Sequence, residues 1–374
     1  MSADFPLDVR QLADVLNHLN TGVYITDRDR RIILWNRKAE EITGWKAGQV
    51  IGKRCRENVL NHTDKEGRPL CSDRLCPLNR AMEFDRQSDQ PLLVYCQRAD
   101  GRRIAVSVTV APMHDDAGRV IGGVETFRDE SAHIQDLEFA RRVQQHLLPK
   151  ELTGEGQIEF AVSYLPHDLV GGDFYDVRMV GENRFGILVA DVRGHGVSAA
   201  LYTMWLKSLS ESLAWLAWDP ERFTAALNEE LGRFVVDESF ATGVYAVVDT
   251  AQNEVTYCNA GHPAPLQFHA ADGTVSELES HGMPLGISAA EAYPVSTLQL
   301  APGDMLLFYT DGITEVRDAQ GQLLGAEELS RTLAEQVRLG RANLLERIYR
   351  QMLERCHAVS LSDDVLLFSV ARKA

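Results

Sequence analysis

The chain has 374 residues, 45% of them apolar, and its excess of acidic side chains gives a formal net charge of −16. This length predicts two domains, each with enough apolar residues for an ordinary core. The negative charge makes nucleic acid and anionic membranes poor partners, and no apolar run reaches the about 18 residues that a membrane-spanning helix needs.

The N-terminus and the cysteines indicate the compartment. Residues 1–14 carry acids and lack an apolar core, so they do not form a typical signal peptide. Without an export signal, the six cysteines are expected to be thiols rather than disulfides. We therefore expect a cytoplasmic protein with no membrane segment.

The first third of the sequence predicts an alternation of short helices and hairpin strands. Asp100-Gly101 and the Asp-Asp-Ala-Gly run at 115–118 are typical of hairpin turns, and Gly44 is placed to end a short helix. The predicted elements are a helix at 10–20, strands at 22–27 and 31–36, a helix at 36–45, and strands at 92–97, 103–112 and 120–128.

This region resembles a PAS sensor domain. The resemblance covers about residues 10–130 and implies a five-stranded antiparallel sheet with helices on one side, which binds a ligand or dimerises and passes a signal on. We assign the domain to residues 1–130. The motifs that carry the resemblance are Gly-Val-Tyr-Ile-Thr-Asp at 22–27, Ile-Leu-Trp-Asn-Arg-Lys-Ala-Glu at 33–40, Thr-Gly-Trp at 43–45, Val-Ile-Gly-Lys at 50–53, Asp-Gly-Arg-Arg at 100–103 and Gly-Gly-Val-Glu-Thr-Phe-Arg-Asp at 122–129.

A cluster of ligand-type side chains departs from a plain PAS pattern. Cys55, His62, Cys71 and Cys76 lie within one short span that also contains Asp64. Thiolate and imidazole groups suit zinc or an iron–sulfur cluster, although the spacing is not that of a standard zinc finger. The alternatives are another PAS ligand, a redox pair, or thiols without a special role.

Residues 131–150 predict a helical connector. The stretch 130–148 has no glycine or proline, and Pro149 ends it. Apolar and long side chains follow one helical stripe, which is too short and too polar for a strong coiled-coil prediction. The connector either transmits rotation or dimer geometry between two domains, with a homodimer formed through the PAS domain and connector, or is a passive spacer.

Acidic stretches recur beside apolar strands in residues 151–374. After Asp191, Gly194 and Gly196 can adopt positive φ and let the backbone approach a ligand. The acidic stretches are a glycine-rich turn at 171–176 with Asp173 and Asp176, a strand at 185–190 followed by Asp191, a strand at 306–310 followed by Asp311, and Ser362, Asp363 and Asp364 before a strand at 365–370. The other predicted elements are helices at 197–217, 220–236, 326–338 and 341–357 and a strand pair at 243–250 and 254–258.

Acids at the ends of core strands indicate a cation site if the strand ends converge. Two carboxylates 4 Å apart repel by about 4 kcal/mol at an effective dielectric constant near 20, so converging carboxylates need cations. Oxygen ligands select hard ions such as Mg²⁺ or Mn²⁺. Two such ions close together can activate a water molecule and neutralise a phosphoryl group.

The second half resembles the SpoIIE/RsbU-type metal-dependent serine/threonine phosphatases of the PPM superfamily, and the segment 140–149 resembles the one that commonly precedes them. The resemblance runs from about 155 to 371 and implies two packed antiparallel sheets with helices outside, within an α+β chain. Its motifs are Gly-Gly-Asp-Phe-Tyr-Asp at 171–176, Asp-Val-Arg-Gly-His-Gly at 191–196, Asn-Ala-Gly-His-Pro at 259–263, Pro-Leu-Gly-Ile at 284–287, Tyr-Thr-Asp-Gly-Ile-Thr-Glu at 309–315 and Asp-Asp-Val at 363–365.

The resemblance also implies roles for individual residues around two Mn²⁺ or Mg²⁺ ions. Asp191 would bridge both ions and the Val192 carbonyl would bind one of them. Asp173 would bind one ion, directly or through water. Asp311 and Asp363 would complete the other, with Asp364 as the neighbouring alternative to Asp363.

The implied activity is hydrolysis of a phosphoserine or phosphothreonine ester on a partner protein, with an anti-sigma-factor antagonist of a partner-switching pathway as the expected substrate. The phosphate anchor and general acid stay open: Arg193 and His195 lie in the glycine turn, and His195 there is more typical of a loop-holding residue. His262 is expected to support the site, and its direct role stays open. The alternative function is a catalytically silent phosphatase fold that acts by docking.

Overall fold

The computed structural model describes residues 9–72, 74–149, 156–233, 239–278, 282–318, 320–356 and 363–373. The chain divides into two compact units, Met1–Asp136 and Leu137–Ala374. Ser362 and the predicted helix ends at 234–236 and 357 lie outside the described residues. In the described part of the chain, no helix is both long enough and apolar enough to cross a membrane.

The first unit contains a five-stranded antiparallel sheet with strand order β2-β1-β5-β4-β3. Tyr24, Trp35 and Phe127 contact one another in its core. The predicted five-stranded sheet is therefore confirmed. Its elements are α1 (Val9–His18), β1 (Gly22–Asp27), β2 (Ile32–Trp35), α2 (Arg37–Thr43), α3 (Ala47–Val50), α4 (Pro77–Phe84), β3 (Leu92–Gln97), β4 (Arg103–His114) and β5 (Val120–Asp129).

Asn36 shows how the local sequence builds this unit. Its side-chain oxygen accepts hydrogen bonds from the backbone N–H groups of Val23 and Ala39, so one residue caps α2 and joins it to β1. Its amide nitrogen donates to the carbonyl of Leu16, after which the chain turns into β1. The helix ends at Gly44, which adopts a φ of 77°, as the sequence predicts.

Helix α5 (Ser131–Leu147) follows the sheet and confirms the helical prediction for this segment. It runs across the division between the two units. A separate connector with limits at 131 and 150 therefore stays a prediction, as do the predicted domain limits.

The second unit is a sandwich of two five-stranded sheets, with strand orders β13-β10-β9-β8-β7 and β12-β11-β14-β15-β6. Its strands are β6 (Ile158–Leu165), β7 (Asp173–Gly181), β8 (Arg184–Val192), β9 (Ala241–Asp249), β10 (Glu254–Ala260), β11 (Leu266–His269), β12 (Thr274–Glu277), β13 (Ser296–Gln299), β14 (Met305–Tyr309) and β15 (Val365–Arg372). Its helices are α6 (Val197–Ser212), α7 (Pro220–Gly232), α8 (Gly325–Arg338) and α9 (Leu344–Cys356).

Strand β15 shows why the sandwich has four layers. Leu366, Phe368 and Val370 pack into the core between the sheets. The alternate residues Val365 and Leu367 pack into a second core, shared with α8 and α9. A strand buried on both faces must be apolar throughout, which explains its continuous apolar run. Helices α6 and α7 cover the other sheet in the same way.

The prediction of a glycine-rich turn at 171–176 is wrong for residues 173–176, which belong to a strand. Strand β7 begins at Asp173, because the backbone of Asp173 pairs with that of Asp191 on β8. Phe174 and Tyr175 are both buried, on opposite faces of the sheet. The predicted helix at 197–217 is also shorter, because α6 ends at Ser212.

Asp176 anchors β7 to α6. Its carboxylate is 3% exposed and accepts a 2.9 Å hydrogen bond from Lys207 Nζ, and Arg178 donates to its other oxygen. Arg178 also donates to the carbonyl and hydroxyl oxygens of Ser210. The second acid of the glycine-rich motif therefore belongs to a buried ion-pair network between strand and helix.

Substitution of Asp176 by alanine should lower the free energy of unfolding by about 3–5 kcal/mol, because it leaves two positive side chains without their carboxylate in a buried setting. Chemical denaturation of the full chain measures this value. The matched control, Glu182→Ala at an exposed turn position, should change the free energy of unfolding by less than about 0.5 kcal/mol. Equal effects of the two substitutions would contradict the network.

Candidate functional site

The acids converge because of the strand order. Asp173 opens β7 and Asp191 lies near the end of β8, directly opposite it. Opposed residues on neighbouring strands point to the same face, and here that face meets the second sheet, since Tyr175 and Val189 belong to the core between the sheets. The two carboxylates therefore lie at one edge of the sandwich.

The second sheet brings its acids to the same edge. Strand β14 ends and antiparallel β15 begins there, so Asp311 and Asp363 are neighbours. Thr310 joins the two sheets directly, because its hydroxyl donates a 2.7 Å hydrogen bond to Asp173 Oδ2. The structure thus brings together every aspartate that the sequence singled out as a metal ligand.

Gly312 permits this arrangement. A Cβ atom at Gly312 would lie 1.9 Å from the carbonyl oxygen of Asp364, far inside contact distance. Only glycine lets the short 3₁₀ turn Asp311–Ile313 pack against the backbone in front of β15. The glycine that follows Asp311 in the sequence therefore sets the distance between Asp311 and Asp363.

The pKa values show that the carboxylates of this cluster repel one another. Asp173 is 2% exposed, and burial followed by the charge of Asp191 raises its pKa well above the ordinary value. Burial, then Asp311, Asp363 and Asp364, raises the pKa of Asp191 to about 8. Burial, Glu315 and Asp363 likewise raise the pKa of Asp311 to about 6. Protons or a cation must offset this charge.

Asp173 and Asp191 lie opposite each other on neighbouring strands, and the charges of the other acids at this edge act on both of them. Within the described ranges, no group of three or more His, Cys, Asp or Glu side chains is already arranged to hold a metal ion. The donor chemistry of the edge nevertheless fits a hard divalent cation, since it consists of carboxylate oxygens whose mutual repulsion such an ion relieves.

Asp363 and Asp364 have different surroundings. Asp364 is buried, and its two carboxylate oxygens accept 2.7 Å and 2.6 Å hydrogen bonds from the backbone N–H groups of His167 and Gly172. Asp363 is exposed, and its Oδ1 accepts a hydrogen bond from the Asp364 N–H. Asp364 therefore holds the 167–172 loop, and the assignment of Asp363 as the metal ligand stays a prediction.

The turn after β8 has the predicted backbone. Gly194 and Gly196 adopt φ values of 93° and 79°, which confirms the expected positive φ at both positions. The Val192 carbonyl oxygen lies close to Gly172, 2.9 Å from where a Cβ atom would be. Its role as a metal ligand stays a prediction.

The histidines of the second unit differ in exposure. The His195 side chain is 74% exposed, and its Nδ1 lies 3.4 Å from Asp168 Oδ2. His262 is buried, accepts or donates a 2.8 Å hydrogen bond at Nδ1 with Thr242, and has a pKa lowered to about 3 by burial. His262 is therefore a neutral residue, and the Asn259 side chain hydrogen-bonds both the N–H and the carbonyl of its backbone.

Arg193, the other candidate in the glycine turn, lies over the ring of Phe240.

The cysteine and histidine cluster of the first unit is brought together as well. His62 is buried, and its backbone N–H donates a 3.1 Å hydrogen bond to Cys71 Sγ. Burial raises the pKa of Cys55 to about 12, and Cys76 and Cys71 are near enough to add to this shift. Cys55, Cys71 and Cys76 are not joined by disulfide bonds, and the metal or redox role of this cluster stays a prediction.

Glu125 is a member of this cluster that sequence reasoning missed. It lies on β5, its Oε2 accepts a 3.0 Å hydrogen bond from Tyr24, and its Oε1 lies 3.6 Å from His62 Nε2. Burial raises the pKa of Glu125 to about 8 and lowers that of His62 to about 4. A lone acid at an apolar strand position, in the Gly-Gly-Val-Glu motif, was the available signal.

These shifts predict how stability depends on pH. The folded chain holds the Glu125 proton up to about pH 8, whereas the unfolded chain loses it near pH 4.5, so this group makes stability fall as pH rises between them. His62 has the opposite effect between pH 4 and 6.5, because the unfolded state binds its proton there. Glu125 and His62 together therefore make stability fall from pH 6.5 to 8, by up to about 1.4 kcal/mol per pH unit. Asp191, whose pKa burial also raises to about 8, adds to the fall in the same range.

Thermal unfolding of the full chain at these pH values measures the effect. Glu125→Gln should make the slope shallower by the share of Glu125, and Glu83→Gln, at an exposed position of α4, should leave it unchanged. A slope in Glu125→Gln as steep as in the unchanged chain would contradict a contribution from Glu125.

Comparison with known proteins identifies both units. The family model of Stage II sporulation protein E (SpoIIE) matches residues 181–373, and a PAS domain model matches residues 20–132. The chain belongs to the SpoIIE family. The predicted phosphatase class and the predicted PAS domain are thereby confirmed.

Named relatives agree with this family. The chain is 29% identical over 250 residues to the phosphoserine phosphatase RsbU of Bacillus subtilis. The aligned region covers 67% of this chain and 74% of RsbU. It is 31% identical over 185 residues to the phosphoserine phosphatase RsbP of the same organism. That aligned region covers 48% of this chain and 45% of RsbP. This chain therefore spans under half of RsbP.

A solved structure supports the fold of the second unit. The SiaA-PP2C domain of Pseudomonas aeruginosa superposes with a TM-score of 0.58 at 22% identity, over 66% of this chain and 97% of that domain. The predicted α+β architecture, with a phosphatase-type sandwich after a PAS sheet, is confirmed.

Proposed function

We propose that this member of the SpoIIE family is a PAS-regulated, metal-dependent phosphatase that hydrolyses phosphoserine or phosphothreonine on a partner protein. The observation that carries the proposal is the convergence of aspartates from two sheets at one edge of the sandwich. The two relatives named as phosphoserine phosphatases support the substrate class.

The residues that would hold two Mn²⁺ or Mg²⁺ ions are Asp173, Asp191, Asp311 and Asp363, with the Val192 carbonyl. When bound, such ions supply an activated water molecule and neutralise charge on the phosphoryl group. The chain itself contributes the geometry. Asp191 faces acids of both sheets, and the exposed Asp363 opens the cluster to solvent, where a phosphorylated side chain can approach.

The proposed partner is a phosphorylated anti-sigma-factor antagonist of a partner-switching pathway, as the sequence resemblance implies. A buried acidic edge can accept the phosphate of a phosphoserine once cations are present, and the surrounding surface must recognise the folded partner. We also propose that the chain works as a homodimer through its PAS domain and connector. Zinc, an iron–sulfur cluster or another ligand at Cys55, His62, Cys71 and Cys76 is the proposed input to the PAS domain.

Hydrolysis assays on the full chain test the function. The expected result is release of phosphate from a phosphoserine protein and from p-nitrophenyl phosphate in Mn²⁺ or Mg²⁺, and its loss in EDTA, because the carboxylates alone supply no electrophile for the phosphoryl oxygens. No turnover with either ion, combined with tight binding of the phosphorylated partner, would instead support the docking alternative.

Substitutions separate the two neighbouring acids at β15. Asp363→Asn should lower kcat/KM by about 100-fold or more, since a metal ligand stabilises the transition state by several kcal/mol, and should leave the melting temperature nearly unchanged. Asp364→Ala should lower the free energy of unfolding by about 1–3 kcal/mol, because it leaves the N–H groups of His167 and Gly172 without an acceptor.

The matched comparison is Asp364→Asn, which keeps one carbonyl acceptor and should retain more stability than the alanine variant. Full activity in Asp363→Asn, together with inactivity of a normally stable Asp364→Asn, would reverse the assignment.

A further inference from the structure

Helix α5 reaches the proposed metal centre through one side chain. Of the 17 residues of α5, all of them described, Gln144 alone is buried, with 6% of its surface exposed. A polar residue as the single buried position of a helix requires an explanation, since burial of an amide is costly unless its groups are hydrogen-bonded. The neighbouring Gln145 and His146 are exposed.

The Gln144 amide binds the backbone of Gly171 at both of its polar groups. Gln144 Nε2 donates a 2.7 Å hydrogen bond to the Gly171 carbonyl, and Gln144 Oε1 accepts a 3.3 Å hydrogen bond from the Gly171 N–H. Nε2 also donates to Thr203 Oγ1 at 3.0 Å, and Thr203 in turn donates to the Ala200 carbonyl. One side chain therefore joins α5, the loop before β7, and α6.

The loop is held equally tightly from its other side. A Cβ atom at Gly171 would lie 2.3 Å from the Tyr164 hydroxyl and 2.6 Å from Asp364 Oδ2. The next residue, Gly172, donates its N–H to that same oxygen of Asp364. The Gly171–Gly172 peptide is therefore held between Gln144 and Asp364. Because this peptide is one residue away from Asp173, its position influences where the Asp173 carboxylate lies relative to Asp191.

We propose that Gln144 is a positioning residue of the metal centre: by fixing the Gly171 backbone it sets the position of Asp173 and thereby the affinity for divalent cations. This inference rests on the proposed function for the identity of the centre. Glutamine meets the requirement because its side chain offers a donor and an acceptor together. Glutamate would lose the donor that Gly171 and Thr203 share, and leucine would lose both groups at similar size.

Equilibrium binding of Mn²⁺ to the full chain, without substrate, tests the proposal. Gln144→Leu and Gln144→Glu should each weaken Mn²⁺ binding by about 10- to 100-fold, the usual effect of removing a group that orients a metal ligand. Gln145→Leu, at the exposed neighbouring position, is the matched control and should bind Mn²⁺ as the unchanged chain does. Saturating Mn²⁺ should restore most of kcat in the Gln144 variants, because the ligands themselves are intact.

A second variant covers the case in which a Gln144 substitution prevents folding. Thr203→Val removes one acceptor of the Gln144 amide and leaves the Gly171 contacts in place, so it should weaken Mn²⁺ binding by a smaller factor. Unchanged Mn²⁺ affinity in a folded Gln144→Leu or Gln144→Glu chain would overturn the proposal. If neither Gln144 variant folds, an unchanged Mn²⁺ affinity in Thr203→Val would overturn the proposal.

The binding measurement also separates this proposal from the proposed function. If the unchanged chain binds Mn²⁺ through Asp191, as loss of binding in Asp191→Asn would show, but hydrolyses no phosphoserine, the function fails while the Gln144 result still stands. If the unchanged chain hydrolyses phosphoserine and Gln144→Leu keeps its Mn²⁺ affinity, the function stands and the Gln144 proposal fails. If the unchanged chain binds no Mn²⁺, the proposed function and the Gln144 proposal are both overturned.

Discussion

The repulsion between Asp173 and Asp191 is the constraint on which the catalytic unit depends. The antiparallel pairing of β7 and β8 places these residues opposite each other, on the face between two sheets. Burial removes the water that would screen them, so their pKa values rise and the charge must be offset from outside the chain. The edge of the sandwich is thus built at a cost to its own stability, which is typical of functional sites.

Neutral hydrogen-bonding groups support this cluster. Thr310 donates to Asp173 from the second sheet, and Gln144 on α5 binds the backbone of Gly171, two residues before Asp173. The Asp364 carboxylate accepts hydrogen bonds from two backbone N–H groups and holds the loop from the opposite side. The supporting contacts come from three separate parts of the chain, so the position of one ligand depends on how all of them pack.

The positively charged groups described near this motif serve a different purpose. Lys207 and Arg178 pair with Asp176, three residues after Asp173, and attach β7 to α6. Alternate residues of a strand point to opposite faces, so Asp173 and Asp176 lie on opposite sides of the sheet. Asp173 faces the cluster of acids, and Asp176 faces the helix layer. The positively charged side chains of Lys207 and Arg178 therefore lie away from the proposed metal centre.

The sequence by itself determined the two units, the apolar strands and the acids at their ends, because strand periodicity, glycine turns and motif order are local properties. It missed edge strands such as β12 and β13, whose exposed faces leave no continuous apolar pattern. It could not separate Asp363 from Asp364, place Asp176 in an ion pair, or find Gln144 and Glu125. Only the tertiary structure showed the surroundings of these side chains, because each depends on a hydrogen-bonding or charged partner that is distant in the sequence and near only after the sheets and helices have packed.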